Sequence, residues 1–114
     1  MPGPYILVAS ELSLHREVLQ GVLHAQRPHL PVHAIAPDAL DALPTGCEPR
    51  LVICNDEAVI RKMHPSAWIL LFPDGQNLAL VGIGDARRTL PDASLEDLVS
   101  VIDELWSHQA LSTS

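Results

Sequence analysis

Two apolar runs, Trp68 to Pro73 (WILLFP) and Leu78 to Gly84 (LALVGIG), are separated only by the four residues Asp74-Gly75-Gln76-Asn77. A parallel pair of strands needs a crossover of a dozen or more residues, so a four-residue link built around Asp-Gly can only turn the chain back on itself. The spacing predicts an antiparallel hairpin turning at 74–77. The segment Arg87 to Pro91 then either adds a short third strand or leads into the last helix.

The residues before the hairpin follow another rhythm. Tyr5 to Ala9 (YILVA) is a continuous apolar run between Pro4 and Ser10, the pattern of a strand buried on both faces. From Glu11 to Gln26 the residues Leu14, Val18, Leu19, Val22 and Leu23 recur at three and four, which predicts an amphipathic helix with Ser10 or Ser13 as its cap. Leu30 to Pro37 reads as a second strand, and Asp38 to Leu43 as a short helical turn. A loop from Pro44 to Pro49 leads to a third strand, Arg50 to Cys54, and Asp56 to Met63 makes a two-turn helix closed by Pro65. At the far end, Ser94 with Asp97 three residues on forms a capping box. Leu95, Leu98, Val99, Ile102, Leu105 and Trp106 give the helix behind it one continuous apolar face. The expected fold class is α/β, a parallel βαβαβα part followed by an antiparallel β-hairpin and a C-terminal helix.

Length and composition fit one domain. The chain has 114 residues, 47% of them hydrophobic and only 4% aromatic, so one core built from aliphatic side chains is expected over residues 1–114, with 107–114 as a flexible tail. Fourteen acidic residues against seven basic ones give a net charge of −7, and the basic residues are scattered, which argues against nucleic acid as a partner. The two cysteines, Cys47 and Cys54, form no CxxC motif and are expected to be reduced. The start of the chain has no basic segment and too short an apolar run for an export signal or membrane span, so no membrane association and a cytoplasmic location are expected.

The stretches YILVASELSLHREVLQGVL, PRLVICND and LPDASLEDLVSVIDEL resemble the first βα unit, the third strand and the last helix of bacterial response-regulator receiver domains. The resemblance implies a three-layer, flavodoxin-like sheet. It also implies a phosphoryl-transfer site at the ends of the strands: paired carboxylates after strand one for Mg²⁺, an acceptor Asp ending strand three, a hydroxyl ending strand four and a lysine ending strand five. Metal and lysine would offset the phosphoryl charge, and the hydroxyl would report it. In this sequence the first position is Ser10-Glu11, with one carboxylate. The acceptor position falls on Asn55, with Asp56 one residue late and so turned to the other side of a strand. Strand four ends in Phe72-Pro73, and the only lysine of the chain is Lys62, in the third helix. The expectation is a degenerate receiver-like domain that is not phosphorylated and not an enzyme.

Candidate site residues follow from this alignment. Ser10, Pro37, Asn55 and Asp56 converge on the rim where open α/β sheets bind small molecules, with Glu11 beside Ser10 as a further binding candidate. For Asp56 a simpler role competes, that of helix N-cap accepting from the amide of Val59. His29 and His33, set in an extended segment, would stand roughly 13 Å apart, and no acidic or thiol ligand accompanies them, so no metal and no cofactor is expected. Gly82-Ile83-Gly84 resembles a fragment of a dinucleotide motif but follows a strand, which points to a twist or bulge.

Three functions are weighed: a non-catalytic regulatory or protein-interaction module, a small-ligand or anion sensor at the rim, and, ranked third, an enzyme or working phosphoacceptor using Asp56. A homodimer or another protein is the expected partner, through the end of the last helix at Leu105 and Trp106 or through the edge of the hairpin. Leu78 to Gly84 carries no charge to discourage pairing, unless Arg87 to Pro91 covers it.

Overall fold

The computed structural model describes residues 5–10, 12–42, 49–71, 78–84, 86–92 and 94–112. The elements are β1 (Ile6–Ala9), α1 (Ser13–Gln26), β2 (Val32–Ile35), a 3-10 turn (Pro37–Ala42), β3 (Leu51–Cys54), α2 (Glu57–Met63), β4 (Ala67–Leu71), β5 (Leu78–Ile83), β6 (Ala86–Pro91) and α3 (Leu95–Ser112). They build an α/β fold around one six-stranded mixed sheet in the order β2-β1-β3-β4-β5-β6. The first four strands of that order run parallel, while β5 and β6 are each antiparallel to the preceding one.

Continuous apolar runs become the central strands because both faces of the sheet are covered. Every residue of β1, β3 and β4 is buried. On one face Ile6, Val8, Leu51, Ile53, Ile69, Leu71 and Val81 pack with Leu19 and Leu23 of α1 and with Leu98, Ile102 and Leu105 of α3. On the other, Leu7, Ala9, Val52, Cys54, Trp68 and Leu70 pack with Val59 of α2, flanked by Ile60 and Met63. The alternation of successive side chains across a strand accounts for the division.

The hairpin pairs Trp68 with Gly82 and Leu71 with Ala79. Its expected turn at 74–77 lies outside the described residues, as does most of the expected loop from Pro44 to Pro49. The segment after it is a true strand: β6 pairs along the whole of β5, with Ile83 opposite Ala86 across a turn in which Gly84 takes a left-handed φ of 56°. Leu78 to Ile83 is thus an interior strand, and the outer one carries Arg87, Arg88 and a terminal Pro91.

Several expectations change in detail. Leu14 and Val18, expected among the apolar residues of an amphipathic helix, point outward at 66% and 37% exposure, because the stripe that meets the sheet is Leu19, Val22 and Leu23. Neither Ser10 nor Ser13 caps α1. Leu12 holds the N-cap position, Ser13 is already helical, and the Ser10 hydroxyl accepts from the amide of Leu12. Gly82 forms no bulge and sits in regular register between Trp68 and Arg87. α3 runs on to Ser112, with no proline or glycine to interrupt that stretch.

The capping box at the start of α3 is formed in both directions. The amide of Asp97 donates to the Ser94 hydroxyl at 3.2 Å, and the amide of Ser94 donates to the Asp97 carboxylate at 3.1 Å. At the other end of the molecule, Arg27 just past α1 grips the Asp103 carboxylate through Nε and a terminal nitrogen, at 2.8 and 2.6 Å, tying α1 to α3.

Candidate functional site

The rim at the carboxyl ends of the parallel strands is assembled by register. Ala9 is level with Ile35 on one side and with Cys54 on the other, so the residues that follow, Ser10, Ala36 and Asn55, emerge side by side. Ser10 is fully buried. Its hydroxyl serves the Leu12 amide, and the Arg16 guanidinium donates to its carbonyl, so this serine fixes the turn from β1 into α1. Asn55 is half-buried and Asp56 exposed. Glu11, the one carboxylate expected beside Ser10, lies outside the described residues.

Asp56 is the N-cap of α2. It has extended backbone angles, and its carboxylate accepts from the amide of Ala58 at 2.9 Å, one residue earlier than the expected Val59. The amide of Val59 instead donates to the Asp56 carbonyl. The helix ends where His64 adopts a left-handed φ of 48° and returns its amide to Ile60, ahead of Pro65. Lys62 projects from this helix and not from the end of a strand.

Cys54, one residue before Asn55, is a free and fully buried cysteine. Burial pushes its thiol up to about 12, only partly offset by a backbone hydrogen bond at Asp56. Packed with Leu7, Val52 and Leu70 on the face of the sheet that α2 covers, Cys54 is a core side chain. Among the described residues no cluster of three or more His, Cys, Asp or Glu side chains could hold a metal. His33 is exposed and stands edge-on to Tyr5, with ring centres 5.1 Å apart.

The residues expected at an interface part company. Leu105 is fully buried between α3 and the sheet and presents no surface. Trp106 is half-buried, with the Arg50 guanidinium 4.5 Å above its ring, so a cation from the start of β3 covers the indole. Arg87 on β6 likewise stands 5.5 Å above the ring of Trp68. Neither pairing can be read from local sequence, because each joins residues brought together only by the order of strands.

Among the described residues the exposed large apolar side chains are Leu12, Leu14 and Val18, just before and within the first turns of α1 beside the rim. Grooves also lie away from the rim. One, of about 160 Å³, runs between β5, β6 and α3, with Val81 and Ile83 at its floor and the Arg88–Glu104 ion pair, 3.1 Å, at its edge. Another, of about 400 Å³, lies between α1 and β2, lined by Glu17, Gln20, Gly21, His24, Leu30 and Val32. Among the described residues no helix is long and apolar enough to cross a membrane. No family model, curated protein or solved structure matches the chain.

Proposed function

We propose that this chain is a non-catalytic regulatory or protein-interaction module on a degenerate receiver-like, flavodoxin-like scaffold, not phosphorylated and acting by association, first with a second copy of itself. The observation that carries the reading is the exposure of Leu12, just before α1, and of Leu14 and Val18 in its first turns, at 51%, 66% and 37%. Leu14 and Val18, four residues apart, share one face of the helix, and apolar side chains exposed together mark a place where another surface docks. The rim supports the same reading from the side of chemistry. Its serine and aspartate are occupied in holding the ends of α1 and α2, and the chain's only lysine stands on α2.

Sedimentation equilibrium of the purified chain at micromolar concentration tests the association. A dimer mass is expected, and a monomer mass throughout the micromolar range would contradict it.

A second reading, a small-ligand or anion sensor at the rim, is favoured by the register that sets Ser10, Ala36 and Asn55 side by side. It predicts that inorganic phosphate or another small anion raises the thermal midpoint, and that Asn55→Ala removes the effect.

A further inference from the structure

The sheet has two ends, and they differ in character. At one, β6 carries Arg87 and Arg88 and finishes on Pro91, all features that discourage another strand from adding there. At the other, β2 consists of Val32-His33-Ala34-Ile35, with no Lys, Arg, Asp or Glu, and its prolines flank the strand without interrupting it. Beside this second edge lies the groove formed by Glu17, Gln20, Gly21 and His24 of α1 over Leu30 and Val32. Among the described residues the side chains of Glu17 and His24 make no ion pair, and a Cβ at Gly21 would meet nothing within 4 Å.

The spacing of the helical residues is self-complementary. Leu14, Glu17, Gly21 and His24 follow one another at three, four and three, so they form a single stripe along α1. If a second α1 lies antiparallel to the first about a two-fold axis passing between Gln20 and Gly21, Glu17 of each copy falls opposite His24 of the other. Gln20 then falls opposite the bare backbone of Gly21, which lets the two helices approach. The Glu17 carboxylate and the His24 imidazole are placed so that one two-fold axis brings a hydrogen-bond acceptor against a ring N–H donor at both ends of the interface. The same axis would set the two β2 edges antiparallel to each other beneath the helices.

We propose that this groove is where two copies of the chain associate, α1 against α1, with Glu17 of one copy paired to His24 of the other and β2 beside β2. The proposal rests on the reading of the chain as a self-associating module and names its surface. It differs from association through the C-terminal helix, where Leu105 is buried and Trp106 lies under Arg50.

The test is sedimentation equilibrium on three proteins: the natural chain, His24→Glu, and the double variant Glu17→Lys with His24→Glu. Both positions are exposed, so the thermal midpoints of the variants report that folding is retained. The natural chain is expected to be a dimer. His24→Glu sets two carboxylates against each other at both ends of the interface and is expected to raise the dimer dissociation constant by about tenfold or more. The double variant places opposite charges at both ends of the interface and is expected to recover most of that loss. A dimer whose affinity is the same in all three overturns this interface and leaves self-association standing. A natural chain that is monomeric overturns both.

Discussion

The indole of Trp68 lies against Gly82, its cross-strand partner in the hairpin, so closely that a Cβ at residue 82 would come within 2.2 Å of the indole Cε2. The glycine is a packing requirement imposed from the neighbouring strand, since its own φ is not left-handed. Gly82→Ala is expected to destabilise the fold by about 1–3 kcal/mol, the usual cost of overpacking. In a Trp68→Ala background the same change should become nearly neutral, because the two residues share one space. Urea unfolding of the four proteins of this cycle measures the coupling, and equal losses in both backgrounds would contradict it.

Asp56 caps α2 through its carboxylate. Asp56→Ala is expected to cost about 1 kcal/mol, and Asp56→Ser only a few tenths, because a hydroxyl can accept from the same amide. A loss as large for serine as for alanine, in urea unfolding, would show that the carboxylate does something other than cap.

Cys54 provides a pH test. Its native thiol, at about 12, holds the proton more tightly than an unfolded thiol near its ordinary 9.0. The sign follows: the contribution to stability is fully present below the unfolded value and is lost as pH rises toward about 12. In a Cys47→Ser background, Cys54 should resist a maleimide in the native protein and react fully in denaturant. Over the alkaline range Cys54→Ala should flatten part of the fall in stability. Rapid labelling of the native protein at neutral pH would contradict the burial.

Arg50 lies over Trp106 at 4.5 Å, and Arg50→Ala is expected to cost roughly 0.5–1 kcal/mol and to shift tryptophan emission to the red as the indole gains water. Trp68, buried on the opposite face, should contribute no change.

Features written within a few residues were legible in advance. The Ser94–Asp97 capping box, the Asp56 cap and the reversal between β4 and β5 each depend on neighbours in sequence, and the structure carries all three. Features set by distant partners were not. Periodicity marks Leu14, Val18 and Leu19 alike as apolar, while the position of the sheet decides that only Leu19 is buried among them. Gly82 reads as a break in a strand until Trp68 is placed beside it. The run Leu78 to Gly84 looks like an exposed edge, and only the pairing of Arg87 to Pro91 alongside it makes β5 an interior strand. At the candidate site, the convergence of Ser10 and Asn55 follows from two apolar runs ending in register. The cover over Trp106 comes from Arg50, 56 residues away along the chain, and leaves no local signal.

Whether the scaffold serves contact and not phosphoryl chemistry, as proposed, is read from mass spectrometry of the intact protein after incubation with Mg²⁺ and a small phosphodonor. An unchanged mass is expected, since Asp56 is a cap and the only lysine lies on α2. One added phosphoryl group that disappears in Asp56→Asn would contradict it.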